Sequence, residues 1–280
     1  MRLIGWDTSS KAGALVALEW DAQVEFPLPR WVAELNLNVD CTHSERLLWA
    51  IHQTLEAARW KLEEVDVFGV GIGPGSFTGL RIGVTTARTL SHLLKKPLMG
   101  VSSLAALARP VALHFVSSGL GSQVIVIAAT DACKGELFAL WGNARSVSNC
   151  VVHPEGEFSG LWNLGAKEQV LSPEVLIQIL IKKMKKSSSK LRWLVVGEGR
   201  KRYASYWDQL PRSREITNVS LFPDTVQGRY LGLLAFEAWQ AHVSRETLQV
   251  FPRYLRVSDA EMKLKAGLLK SASVRSIDRV

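Results

Sequence analysis

Residues 71–83 read GIGPGSFTGLRIG and contain five glycines and one proline. The apolar run before them, residues 65–72, predicts a short buried strand, and residues 78–94 carry apolar side chains at helical spacing. The glycines therefore mark a turn between a strand and a helix. We expect Pro74 to stiffen this turn and Ser76 to be the N-cap of the helix.

This glycine-rich turn does not match the known phosphate-binding loops. A P-loop requires Gly-Lys-Ser/Thr where this chain has Thr78-Gly79-Leu80, and the spacing of the dinucleotide fingerprint also fails. Ser76 does not lie in a Gly-x-Ser-x-Gly elbow, because the fifth position is Thr78. The turn alone is compatible with an anion site or with a tight turn that binds no ligand.

Small residues recur at every fourth position of the predicted helix. Glycine inside a helix costs about 1 kcal/mol relative to alanine, so this repetition indicates close packing. The partner is either the protein's own sheet, which the spacing favours, or a helix of another subunit. The stripe consists of Gly75, Gly79, Gly83, Ala87 and Ser91.

Five segments, in order along the chain, resemble the bacterial TsaB (YeaZ) family. The resemblance covers roughly residues 1–140 well and the rest sparsely, and the glycine string is its most specific element. The segments are LIGWDTS at residues 3–9, HSERLL at 43–48, GIGPGSFTGLRIG at 71–83, DACKGE at 131–136 and PRYLR at 252–256.

The resemblance implies an α/β fold of the actin/sugar kinase/Hsp70 type, in which two similar domains with mixed β-sheets flanked by helices enclose a cleft. The periodicity agrees, since strand and helix patterns alternate and a similar order recurs after residue 124. We expect a link near residues 102–121, softest at Pro110 and at residues 117–119. The expected units are an N-terminal domain (1–103, joined by about 248–265), a C-terminal domain (104–247) and a basic tail (266–280).

The pattern also predicts the individual elements of both halves. Predicted strands cover residues 2–6, 14–20, 65–72, 98–101, 124–130, 136–141 and 191–197, and predicted helices cover 44–59, the segment after Ser76, 173–183 and 224–242.

Composition excludes several classes of protein. The chain has 280 residues, and its apolar runs are far shorter than the ~20 residues needed to cross a bilayer. Asp7 interrupts any signal-peptide layout, so we expect a cytoplasmic protein. Three cysteines without CxxC spacing and scattered histidines predict neither a disulfide framework nor a metal site.

A formal net charge of +8 raises the question of nucleic acid. The excess lies mainly in two segments, residues 182–192 and 263–279, which are typical of solvated surface or of a mobile tail. Direct contact with tRNA through these segments stays open.

Proteins of this superfamily bind ATP between carboxylate-bearing turns of both domains. The resemblance places the corresponding candidates at Asp7, Thr8, Ser9 and Asp131, but the first turn lacks a glycine after its aspartate and the second has Ala-Cys where a glycine turn is expected. We therefore predict no cofactor. The alternative role for both aspartates is to cap strand ends and to bond neighbouring amides.

For function, the resemblance implies a non-catalytic subunit that binds and activates the catalytic paralogue TsaD, with the ATPase TsaE, in modifying tRNA to threonylcarbamoyladenosine. It implies indirect contact with tRNA and a homodimer when the partner is absent. The alternative is an ATP-binding or ATP-hydrolysing enzyme of the same superfamily. The predicted partner interface comprises His43, Leu47, Leu48, Ile51, Gly75, Phe77, Thr78, Gly79, Leu80, Arg81, Gly83, Val84 and Ala87.

Overall fold

A computed structural model describes most of the chain, with several gaps. The predicted tail at 266–280, Cys41, Cys150 and residues 186–190 of the first basic segment lie outside the described residues. The described ranges are 1–25, 27–38, 43–148, 151–152, 158–159, 168–185, 191–210, 222–241 and 249–256.

The first half of the chain forms a five-stranded mixed sheet. Its strands are β1 Arg2–Asp7, β2 Gly13–Glu19, β3 Arg30–Leu37, β4 Val67–Gly71 and β5 Leu98–Val101. The spatial order is β3-β2-β1-β4-β5, with β1 antiparallel to β2 and parallel to β4. The strands predicted from alternating and continuous apolar runs in this half are therefore confirmed.

Two long helices cover one face of this sheet. They are α1 His43–Ala58 and α2 Phe77–Leu94, separated by a short 3-10 helix at Leu62–Glu64 and by β4. Both helices carry an apolar stripe, as the sequence predicts, and both stripes enter one core with the sheet. That core includes Ile4, Trp6, Leu47, Ile51, Leu55, Val84 and Ala87.

The predicted link between domains is instead a buried helix, α3 Ser103–Ser117. Ser102 is its N-cap, and the Oγ atom accepts a hydrogen bond from the Ala105 amide at 3.0 Å. Pro110 lies inside the helix and removes one backbone donor. The prediction of a soft link was wrong because burial of the apolar side chains outweighs this local cost; they include Leu104, Leu107, Val111 and Phe115.

The second half repeats the strand pattern of the first. Its main sheet contains β6 Val124–Asp131, β7 Leu137–Asn143, β10 Gln169–Leu171 and β11 Arg192–Val196, in the order β10-β7-β6-β11. β6 is antiparallel to β7 and parallel to β11, as β1 is to β2 and β4. This repetition shows the duplicated α/β architecture that the sequence predicts.

The remaining elements are short, apart from two helices. β8 Val151–Val152 and β9 Phe158–Ser159 form a separate pair. The helices are α4 Ala144–Ser148, α5 Pro173–Lys185, α6 Gly199–Arg202, α7 Ala204–Trp207 and α8 Gly228–Gln240. Among the described residues, no helix has the length and apolar content needed to cross a bilayer.

Helix α8 belongs physically to the first sheet. Leu231 and Ala235 share a core with Leu3 and Val16, on the face of the sheet opposite α1 and α2. The predicted second domain, residues 104–247, includes this helix, and we revise that assignment because the apolar face of α8 is buried against the first sheet. The same core reaches Val126 of the second sheet through α3.

The glycine string packs directly against the turn that follows β1. A Cβ on Gly75 would lie 2.2 Å from the Ser9 carbonyl oxygen, and a Cβ on Gly83 would lie 2.2 Å from Thr8 Oγ1. The Ser76 amide donates to the Ser9 carbonyl at 2.6 Å. The small-residue stripe of α2 therefore contacts the protein's own first domain, which is the first of the two alternatives left open by the sequence.

This close approach makes Gly83 the sensitive position of α2. We expect Gly83→Ala to lower the free energy of unfolding by about 1–3 kcal/mol, although alanine gains about 1 kcal/mol in helix propensity. Thr8 cannot easily move away, because its hydroxyl donates to the Gly79 carbonyl at 2.7 Å. Urea unfolding measures the effect, with Thr85→Ala on the exposed side of the same helix as the control. A Gly83→Ala variant as stable as the parent would contradict the packing.

Candidate functional site

Helix α1 has a buried side and an exposed apolar side. Leu47 and Ile51 are buried in the first core, whereas Leu48 is 64% exposed and Trp49 is 49% exposed. Leu48 lies one position, about 100° around the helix, beyond Leu47 and therefore faces away from the core. His43 begins the helix, and only its backbone is described.

Helix α2 begins as the sequence predicts. Ser76 is the N-cap, and its Oγ atom accepts a hydrogen bond from the Gly79 amide at 3.2 Å. Thr78 and Arg81 are exposed, and the Arg81 guanidinium lies 4.0 Å from the centroid of the Phe77 ring. The other predicted interface residues of this helix are buried within the chain: Gly79, Leu80, Gly83, Val84 and Ala87.

A short segment near the end of the described chain lies along α2. We call residues 249–256 the C-terminal strap. Its Tyr254 ring lies 4.6 Å from the Phe77 ring, and the Tyr254 hydroxyl accepts a hydrogen bond from Arg81 Nε at 3.3 Å. The Phe251 ring lies 4.6 Å from the Arg88 guanidinium. Sequence reasoning missed these contacts, and the PRYLR motif was the signal that pointed to this segment.

A cleft of about 690 Å³ separates the two halves of the molecule. Its walls come from the turn after β1, the start of α2, the turn between β6 and β7, helix α6 and the C-terminal strap. Five cationic side chains and two carboxylates line it: Lys11, Lys134, Arg202, Arg253, Arg256, Asp131 and Glu198. The structure therefore brings the two predicted turns to opposite walls of one cleft.

On the first wall, the predicted residues form hydrogen bonds within the domain. Asp7 Oδ1 accepts from the Ser9 amide at 2.9 Å and from Ser9 Oγ at 2.6 Å, and Asp7 Oδ2 accepts from Ser103 Oγ. Thr8 donates to the carbonyl of α2 described above. Asp7, Thr8 and Ser9 are all buried. These contacts are those expected of a carboxylate that caps a strand end.

On the second wall, Asp131 is also held by protein groups. Its carboxylate accepts hydrogen bonds from the Cys133 amide at 3.1 Å and from the Tyr203 hydroxyl at 2.8 Å, and it pairs with Arg202 at 3.2 Å. Burial of Tyr203, together with the hydrogen bond to Asp131, raises the pKa of the phenol to about 12. Tyr203 is therefore a neutral donor at physiological pH.

Glu168 is a buried charged residue that the sequence pattern does not single out. It lies just before β10, and its carboxylate is fully buried. Its Oε2 atom lies 2.7 Å from Arg253 Nη1 of the C-terminal strap. This contact is an ion pair, but its geometry is not that of a hydrogen bond. Ser102 Oγ donates to its other oxygen. Burial raises the pKa of Glu168 to about 7, although Arg253 and Ser102 oppose the shift.

The described part of the chain contains no cluster of side chains suited to binding a metal ion. No group of three or more histidine, cysteine, aspartate or glutamate side chains is close enough there to hold an ion. The cleft and the exposed sides of α1 and α2 are thus the two features that call for a functional explanation.

Two mixed sheets with one repeated strand pattern, flanked by helices around a cleft, define a protein of the actin/sugar kinase/Hsp70-like class. The solved YeaZ structure from Pseudomonas aeruginosa superimposes with a TM-score of 0.59 at 26% identity, covering 90% of this chain and 100% of that chain. A second structure, titled as similar to peptidase YEAZ from the same organism, gives a TM-score of 0.63 at 25% identity, over 91% and 99%.

Sequence comparison gives the family. Residues 38–153 match the family model described as "TsaD: tRNA N6-adenosine threonylcarbamoyltransferase". The tRNA threonylcarbamoyladenosine biosynthesis protein TsaB of Haemophilus influenzae is 30% identical over 64% of this chain and 68% of its own length. The TsaB protein of Escherichia coli is 29% identical over 71% and 72%. The chain belongs to the TsaB (YeaZ) family.

The buried carboxyl of Glu168 predicts a measurable pH dependence. Because the folded-state pKa of about 7 lies above the ordinary value of 4.5, the folded protein binds this proton more tightly than the unfolded chain does. Stability is thus lost as pH rises from about 4.5 to about 7. The decrease in the free energy of unfolding over this pH range is up to roughly 3 kcal/mol, and we expect it to be absent in Glu168→Gln.

Urea unfolding across pH 4.5 to 7.5 measures this effect on the free energy of unfolding. Glu63→Gln, at an exposed position of the first domain, is the matched control and leaves the slope unchanged. Equal slopes for the parent and Glu168→Gln would contradict the raised pKa.

Proposed function

We propose that this chain is a non-catalytic partner subunit in the biosynthesis of tRNA N6-threonylcarbamoyladenosine. It binds a TsaD-like catalytic paralogue and activates it, works with a TsaE-like ATPase, and contacts tRNA through the complex. It acts in the cytoplasm. Family membership supports the pathway, and the surface of α1 and α2 supports the role as a binding subunit.

The observation that carries the proposal is the pair of large apolar side chains exposed on α1. Leu48 and Trp49 follow each other on the outer side of a helix whose inner side is already buried. Tryptophan is enriched among the residues that contribute most to protein interfaces. A helix with two apolar sides can pack one side against its own sheet and bind a partner with the other.

The buried members of the predicted interface hold α1 and α2 in place beneath this exposed surface. Leu47 and Ile51 fix α1 on the sheet, and Gly79 and Gly83 let α2 approach the turn after β1. We propose that they position the docking face, while the exposed residues contact the partner. The proposed contact residues are Leu48, Trp49, Phe77, Thr78 and Arg81, with His43 at the start of α1.

The same face accounts for a homodimer when the catalytic partner is absent. In a twofold-symmetric dimer the same surface patch of both subunits forms the contact, and an exposed apolar helix face can supply such a patch. The homodimer and the heterodimer would then compete for Leu48 and Trp49.

The two walls of the cleft support a non-catalytic role. Asp7 and Asp131 each accept hydrogen bonds from protein donors, so binding of a nucleotide or its metal would have to displace these contacts. Titration calorimetry with ATP and magnesium on the isolated chain separates the two functions. Tight binding with steady turnover would favour the ATP-hydrolysing enzyme.

Reconstitution of the modification reaction tests the proposal directly. A TsaD-like protein, a TsaE-like ATPase and unmodified tRNA are assayed with and without this chain, and modified adenosine is quantified. We expect activity to require the chain. Full activity in its absence would rule the proposal out.

A surface variant identifies the docking face. We expect Leu48→Glu combined with Trp49→Glu to weaken binding of the TsaD-like protein by more than about 100-fold, because two apolar contacts of about 1.5–3 kcal/mol are lost. Unfolding free energy stays within about 0.5 kcal/mol of the parent, since both side chains are exposed.

The matched control for this variant is Val175→Glu, at a position that is 46% exposed on α5 of the second domain. Calorimetry gives the dissociation constants of the parent and both variants. Equal affinities for all three would exclude α1 from the interface.

A further inference from the structure

The C-terminal strap is fixed to the first domain along α2 and at the end of β4. The Arg253 amide donates to the Ile72 carbonyl at 2.7 Å, and Val250 is buried in the first core. The two aromatic rings of the strap stack on side chains of α2, as described above. Phe251 nevertheless remains 57% exposed and Tyr254 42% exposed.

The charged side chains of the same strap reach the second domain. Arg253 pairs with the buried carboxylate of Glu168, next to β10. Arg256 donates from Nη1 to the Ala132 carbonyl in the turn between β6 and β7, and its Nε lies 3.6 Å from the Glu136 carboxylate. Eight residues therefore connect α2 with two separate points of the second domain.

The strap lines the cleft between the two halves with residues 253–256. Two further elements connect the domains: α3, whose side chains pack in the core shared by both sheets, and α8, which follows the second half along the chain and is buried in the same core. Two domains joined along one side by packed helices can change their separation on the other side by a small rotation. The strap spans that other side, where the cleft lies.

We propose that the C-terminal strap clamps the two domains across the cleft, so that binding of a partner at α2 depends on how the cleft is held. Phe251 and Tyr254 border the proposed docking face, and Arg253 and Arg256 hold the same eight residues to the second domain. A partner seated on α2 contacts the strap, and any opening of the cleft moves it. The dependence on a partner rests on the proposed function, whereas the clamp itself does not.

Two variants release the second-domain end and leave the aromatic contacts in place. Arg256→Ala removes the contacts to Ala132 and Glu136. Arg253→Ala combined with Glu168→Gln breaks the buried pair without leaving an unpaired buried carboxylate, which would be strongly destabilising. Arg192→Ala, at an exposed position that begins β11, is the control. Circular dichroism verifies that each variant is folded.

The first measurement is the distance between the domains in the full chain. Spin labels are attached to Glu63→Cys in the first domain and Val175→Cys in the second, after Cys41, Cys133 and Cys150 are replaced by serine. We expect one narrow distance distribution in the parent and in the control, and a broader or longer one in both strap variants. Unchanged distributions would overturn the clamp.

The second measurement is affinity for the TsaD-like protein. We expect both strap variants to bind at least about fivefold more weakly, the lower range of coupling between two sites. If the parent binds and the variants bind equally well, the coupling is overturned. If the parent does not bind at all, the proposed function fails with the coupling, and the distance measurement alone decides on the clamp.

Discussion

The close packing of the glycine string on the turn after β1 is the constraint on which the rest of the structure depends. Gly75 and Gly83 leave no room for a side chain, and Thr8 and Ser9 occupy the space. This contact sets the height of α2 above the sheet. Because α1 packs beside α2 on the same core, the exposed face of both helices follows from it.

The cleft shows how one architecture accommodates two uses of the same turns. A carboxylate after a strand is well placed to hold a ligand, and it is equally well placed to accept hydrogen bonds from its own neighbours. Asp7 and Asp131 do the latter in this chain, with Ser103 and Tyr203 as donors. The carboxylates of both turns therefore take part in the hydrogen bonds that hold these turns in place.

The sequence predicted the elements that local pattern determines, and it missed those that depend on distant contacts. Periodicity placed both helices of the first domain and four of its five strands within a few residues, but it gave no bounds for β3. It failed for α3, because Pro110 is a local breaker whose cost is offset by burial that only the tertiary structure provides. It also failed for Glu168 and Arg253, since a single glutamate gives no pattern and its partner lies 85 residues away in the sequence.

The core that runs from Leu3 through α3 to Val126 has a consequence for how the molecule comes apart. Each half has a core of its own, but α3 and α8 bury their apolar side chains in a further core that reaches both sheets. Cutting the chain at residue 101 would expose apolar side chains of both fragments to water. Because this core is shared, we expect the two halves to melt together in one cooperative transition.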